Sequence, residues 1–131
     1  MKDPNCVFCQ KTEEDYVAEN NLACAFPDLF PVSEGHTLIT PKNHIKQIWE
    51  LSKEERKAVF DLVEETKVVL DEKYHPDGYN IAVNSGAAAG QSVFHCHVHL
   101  IPRYWDSDVK RKPVPGQFMV PHERPQFKGM D

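Results

Sequence analysis

No stretch of this chain approaches the roughly 20 consecutive apolar residues that cross a bilayer, so no membrane span is expected. The start, MKDPNC, lacks the basic-then-apolar build of a signal peptide. Cysteine is scarce: the 131 residues hold four, Cys6, Cys9, Cys24 and Cys96. Without a secretory signal their even number does not argue for disulfides, and the cytoplasm is the expected compartment. Basic residues are in the minority, 15 Lys and Arg against 20 Asp and Glu, for a net charge of −5. The single basic cluster, VKRK at residues 109–112, reads as a solvated turn. Contact with a nucleic-acid backbone needs clustered Lys and Arg, so no nucleic-acid partner is expected. There is no internal repeat and no low-complexity linker. The length suits one domain, residues 1–131, with one core.

What is present alternates cleanly between strand and helix signals. Residues 16–19 and 22–26 read as a hairpin around Asn20-Asn21, since Asn tolerates positive φ. HTLITP is a strand of β-branched and apolar residues ended by Pro41. A helix follows, with Ser52 as N-cap and Glu55 at the capping-box position. Its apolar stripe is Val59, Leu62, Val63, Val69 and Leu70. HPDG stops it. YNIAVN and HCHVHLIP are two further strands, joined by the small-residue loop SGAAAGQS. That loop is too short for a helical crossover, so these strands should pair antiparallel. The expectation is an α+β fold: about five antiparallel strands with one main helix on one face, and a short helix besides. Cys24 and Cys96 read as small buried hydrophobes. From about residue 105 the chain, with Pro113, Pro115 and Pro121, should be an irregular tail.

The densest chemistry is in QSVFHCHVHLIPRY. Side chains alternate along a strand, so His95, His97 and His99 share one face while Cys96, Val98 and Leu100 face the core. Single histidines on strands are commonly incidental; three in succession on one face are not. Two chemistries remain open. The rings could converge on a metal ion. Alternatively one imidazole attacks while its neighbours orient or protonate. The preceding loop, NSGAAAGQS, is small enough for its N–H groups to approach an anion, and Gln91 and Ser92 add side-chain donors. A plain tight connection, with Gly86 and Gly90 at positive φ, is the competing reading. Asp28, followed by a proline-containing loop, is on its own a turn residue. His75 and His122 lie outside every motif and read as exposed.

These residues, with NSGAAAGQS, EGHTLITPKNHI, LACAFPDLFP and CVFC upstream, resemble the histidine triad family and its H-φ-H-φ-H-φ-φ signature. The resemblance runs from about Cys6 to Tyr104 in the family's order and spacing. It implies a homodimeric nucleotide hydrolase or transferase acting on a purine nucleotide. His97 would attack the α-phosphate and form a nucleotidyl-imidazole. His99 would bond the phosphate or leaving group, and backbone near His95 would set the tautomer of His97. His36 is similar to the family's further histidine, and Gln91 and Ser92 to its phosphate and leaving-group contacts. Asp28 resembles the carboxylate that takes both ribose hydroxyls. Val7, Phe8, Phe26 and Leu29 would wall the purine slot, with Asn84, Gly90 and Val93 in the same nucleotide-binding set.

A subset of the family carries the N-terminal C-x-x-C. In that subset Cys6, Cys9, His44 and His95 would hold a structural zinc ion, leaving His97 and His99 for chemistry. An idle thiol pair and a redox pair are the other readings of C-x-x-C. For function, phosphoramidates and dinucleoside polyphosphates are both open as substrates. A noncatalytic nucleotide-binding or scaffold protein and a hydrolase with one zinc on all three histidines are the rivals.

Overall fold

The computed structural model describes residues 1–105; the proline-rich tail, VKRK and His122 lie outside the described residues. Five strands form one antiparallel sheet. They are β1 (Ala18–Glu19), β2 (Ala23–Pro27), β3 (Thr37–Pro41), β4 (Gly78–Ala82) and β5 (Val98–Arg103). Their order across the sheet is β1-β2-β3-β5-β4. Helix α1 (Lys53–Tyr74) connects β3 to β4. The short helical elements among the described residues are three-residue 3₁₀ helices at Glu13–Asp15, Ile48–Glu50 and Ala87–Ala89. Among the described residues no helix is long and apolar enough to cross a membrane.

Local chemistry explains each boundary. The β1–β2 turn forms where expected, but for a different reason. Asn20 Oδ1 accepts the N–H groups of Leu22 and Ala23 at 3.0 and 2.9 Å, and its Nδ2 donates to the Ala58 carbonyl. Neither Asn has positive φ, because the side chain closes the turn. The helix starts as expected: Ser52 Oγ accepts from Glu55 N, and Glu55 Oε1 accepts from Ser52 N. It stops at His75, exposed and left-handed at φ 51°. Its buried stripe is Val59, Leu62, Val63, Thr66 and Leu70, with Glu55 at its start. Val69 is 39% exposed, because at 3.6 residues per turn it falls off the stripe that Thr66 continues.

Helix α1 packs on one sheet face. There Ala23, Ala25, Ile39, Val98 and Leu100 join Val59, Leu62 and Leu70 in the main core, with Cys96. Each large apolar side chain buried there contributes about 1.5–3 kcal/mol. The opposite face carries the site. Phe26 pairs with Leu38 and Leu38 with His99, so these three form a row across β2, β3 and β5. The β5 ladder begins at Val98, later than expected, so His95 and His97 stand on the lead-in, which bends at residues 93–95, rather than in the strand. Pro41 has no N–H to continue the ladder, and its carbonyl accepts from the His95 ring. The Cys96 N–H donates to Ile45 O instead. The alternation of faces survives all the same: Cys96 is 2% exposed in the core, and the His97 and His99 rings lie side by side, 5.0 Å between centres.

Candidate functional site

A cleft of about 260 Å³ opens on the face away from α1. It is lined by Val7, Phe8, Phe26, Asp28, Leu29, Asn84, Gly90, Ser92, Val93, His97 and His99. Lys11, Pro27, Phe30 and Leu38 line it too, and sequence reasoning did not single them out. The N-terminal segment forms one wall by folding back over the sheet. Phe8 stands edge-on to Phe26 (5.3 Å between centres) and to His97 (5.1 Å). Gln10 N–H bonds to Cys6 O in helical fashion, so Val7 and Lys11, four residues apart, fall on one side of this turn, which the sequence did not signal.

The tautomers follow from the partners. The His97 Nδ1–H donates to the His95 carbonyl at 2.8 Å, so Nε2 carries the lone pair. Val32 N–H donates to His36 Nδ1 at 3.0 Å, so the His36 proton sits on Nε2. That Nε2–H faces His99 Nδ1 at 2.9 Å and Asp28 Oδ2 at 3.4 Å. His99 thus accepts on Nδ1 and holds its own proton on Nε2. Burial lowers all three rings below the usual histidine range. His36 falls to about 4 despite the opposing Asp28 carboxylate. His99 falls to about 3, with the neighbouring His97 and His36 adding to the effect of burial. For His97 burial outweighs the His95 carbonyl and Asp28, which both act the other way. The rings are therefore neutral at pH 7. Asp28, His36 and His99 bring ligand atoms within 4.8 Å of one another, but these tautomers make the group a hydrogen-bonded relay rather than a chelate.

Asp28 sits at the sheet end. Its N–H donates to His36 O, extending the β2–β3 pairing, and its Oδ1 accepts from Phe30 N at 3.0 Å. It lines the cleft and closes the turn at once.

Gln91 does not line the cleft. It is 4% exposed; its Oε1 accepts from Gly86 N, and its Nε2 donates to Lys46 O and Val93 O. With donors and acceptor all engaged, it braces the loop from behind. Gly86 and Gly90 take positive φ, 92° and 95°, as expected. The N–H groups of Ala89, Gly90 and Gln91 bond to Gly86 and Ala87 carbonyls, so the loop closes on itself there. Toward the cleft it offers Asn84, Gly90, Ser92 and Val93, with Ser92 exposed.

Beside the cleft Cys6, Cys9, His44 and His95 gather, with one ligand atom of each within 4.8 Å of the others. A tetrahedral ion with bonds of about 2.0–2.3 Å to nitrogen and sulfur has ligand–ligand edges of roughly 3.3–3.8 Å. Cys6 Sγ lies 3.4 Å from His95 Nδ1, and Cys9 Sγ 3.5 Å from both His44 Nδ1 and His95 Nδ1. The His95 Nε2–H donates to Pro41 O at 2.8 Å, which leaves Nδ1 as a lone pair facing the sulfurs. Asp3 N–H points at Cys9 Sγ at 3.3 Å. The donor set, spacing and tautomer thus fit a zinc ion. His95 belongs to this cluster and His99 to the relay, so among the described residues the three histidines do not gather around one ion.

An antiparallel sheet backed by one helix, with alternating histidines at an aromatic cleft and a Cys₂His₂ cluster behind, defines a class of protein rather than a single activity. Residues 10–106 match the HIT domain, and the chain belongs to the histidine triad family. It is 44% identical over 108 residues to a 16.1 kDa HIT-like protein of Mycoplasma pneumoniae, covering 79% of this chain and 75% of that one. The adenosine 5'-monophosphoramidase hnt1 of Schizosaccharomyces pombe is 36% identical over 103 residues, 76% of this chain and 74% of its own. The adenylylsulfatase HINT3 of Arabidopsis thaliana is 32% identical over 117 residues, 82% of this chain and 59% of its own. Among solved structures, a HIT family protein of Bacillus anthracis superposes with a TM-score of 0.75 at 36% identity, covering 89% and 81% of the two chains. A zinc-bound histidine triad protein of Mycobacterium smegmatis gives 0.70 at 32% identity, covering 86% of each.

Proposed function

We propose that the chain hydrolyses or transfers purine nucleotides at the α-phosphate through a nucleotidyl-His97 intermediate. The observation that carries this is the 2.8 Å bond from His97 Nδ1–H to the His95 carbonyl, which leaves the Nε2 lone pair for attack. Nε2 bonds to the α-phosphorus while the bond from phosphorus to the leaving nitrogen or oxygen breaks, and the leaving group takes a proton from solvent water. Positive charge arising on the imidazole is held by the His95 carbonyl and by the nearby Asp28 carboxylate. His99, kept neutral by burial, donates from Nε2 to a phosphoryl oxygen. Its Nδ1 is held by His36, and His36 in turn by Val32 and Asp28. Water or another acceptor then attacks phosphorus and the ring leaves. A monophosphoramidase and an adenylylsulfatase among the relatives differ in leaving group, which agrees with recognition centred on the nucleotide. Protein quenched during turnover and examined by mass spectrometry should carry one nucleotidyl group on a His97 peptide. Turnover with no such adduct under rapid quench would overturn the route, and tight binding with no turnover would make the protein a nucleotide-binding scaffold.

Asp28 is assigned to the ribose, since a carboxylate accepts two hydroxyls at once. Losing charge-assisted hydrogen bonds costs about 1.5–3 kcal/mol. Asp28→Ala should therefore weaken ribonucleotides by roughly tenfold or more and affect 2′-deoxy analogues, which keep one of the two hydroxyls, less. Equal wild-type affinity for the two sugars, by calorimetry, would remove Asp28 from that role.

The active form is assigned as a homodimer, and residues 1–131 as one domain. The edge strand β4 supports the first assignment. Ile81 alternates with Tyr79 onto the face that α1 covers, yet stays 56% exposed. An open, apolar edge invites pairing with a second copy. Light scattering at micromolar concentration should give twice the chain mass; a monomer mass contradicts it.

The Cys6, Cys9, His44 and His95 cluster is assigned to structural zinc. Its four donors fill a tetrahedral ion, so bound zinc supplies cross-linking of the N-terminal segment to the histidine lead-in, not an activated water.

A further inference from the structure

One group in the cleft has no task in this scheme. Lys11 lines it, and its ammonium sits 5.4 Å from the centre of the Phe26 ring. The Lys11 N–H donates to Phe8 O at 3.2 Å, so the side chain is anchored to the same segment as the aromatic wall. Half-buried, it lines the same cleft as Val7, Phe8, Phe26 and Leu38, on a mostly apolar wall where an ammonium can meet a ligand. Among the described residues it is joined to no carboxylate.

The register says which part of a ligand it would meet. Phe26 pairs with Leu38, and Leu38 with His99. Strands lie about 4.8 Å apart, so Phe26 is roughly 9–10 Å across the sheet from His99. An ammonium over Phe26 is therefore at the base end of the cleft, away from a phosphate seated at His97 and His99. An ammonium donates hydrogen bonds and accepts none. The N7 side of guanine or hypoxanthine presents two acceptors, N7 and O6. The same side of adenine presents one acceptor beside the N6 donor.

We infer that Lys11 reads the base and makes this cleft selective for 6-oxopurine nucleotides over 6-aminopurine nucleotides. The inference rests on the nucleotide site proposed above and concerns only which purine fills it.

The test is calorimetry of the full chain with GMP, IMP, AMP and 2,6-diaminopurine riboside monophosphate. Wild-type protein should bind both 6-oxo nucleotides about tenfold more tightly than both 6-amino ones, the scale of one good base contact. Lys11→Met should remove that difference while leaving the 6-amino affinities within about twofold. Lys11→Arg, which keeps donors in place, should retain the preference. Three outcomes overturn the inference: equal wild-type affinities, a preference that survives in Lys11→Met, or a uniform loss for all four ligands, which would assign the ammonium to the phosphate. Failure of wild-type protein to bind any of the four overturns the nucleotide site itself, and that result is distinguishable from tight binding without base preference.

Discussion

The His97→Ala protein should turn over nucleotide slower by about 10³-fold or more, the order seen when one member of a nucleophilic unit is deleted. Affinity for a nucleoside monophosphate should change little. The reason lies in the division of roles in the cleft. Phe8, Phe26 and Asp28 line it independently of the His97 ring nitrogen, while among the described residues no other imidazole lining the cleft has a free, unprotonated nitrogen. His99 cannot substitute, because its Nδ1 is held by His36 and its Nε2 is protonated. Stopped assays on purified protein with an adenosine or guanosine 5′-phosphoramidate give the rate, and calorimetry with the monophosphate gives the affinity. A rate within tenfold of wild type excludes His97 as the nucleophile, whatever the affinity.

The second large effect should come from the cluster of Cys6, Cys9, His44 and His95. Protein grown in zinc-replete medium should hold about one zinc per chain by elemental analysis, since four Cys and His donors close a tetrahedral site. Cys6→Ser should lose the metal. Even a loss of about 2 kcal/mol lowers the melting temperature of a chain this size by roughly 6–10 °C. Activity should fall less than in His97→Ala, and only through the loosened placement of Val7, Phe8 and the His95 carbonyl. Wild-type protein with no zinc, or a Cys6→Ser protein melting within a degree of wild type, would reject a structural metal here.

Much of this was legible because short periods outlast irregular backbone. The histidine alternation reads as a strand, and the alternation of faces holds from Cys96 through Leu100 although β5 starts only at Val98. The Ser52–Glu55 box is a purely local pattern and needed no tertiary knowledge. Tertiary direction was the part that stayed hidden. Gln91 reads in sequence as a donor beside an anion loop, yet the loop wraps its amide inward to Lys46 O and Val93 O. Lys11 belongs to no motif, and only the return of the N-terminal segment over the sheet carries it to Phe26. Asn20 marked the right turn, with a side-chain closure that propensity for positive φ does not describe.

The lead-in to β5 also bears on how this site can change over evolutionary time. Through it and into β5 the odd positions, 95, 97 and 99, face the cleft and the Cys and His cluster, while the even positions, 96, 98 and 100, fill the core under α1. Inserting or deleting a single residue here would exchange the two sets, driving imidazoles into the core and Cys, Val and Leu into the cleft. An insertion or deletion of one residue here therefore cannot retune the chemistry without also disrupting the core. Diversification is channelled to positions that can vary one side at a time: the exposed residues at the mouth of the cleft, Leu29 and Phe30, and Lys11.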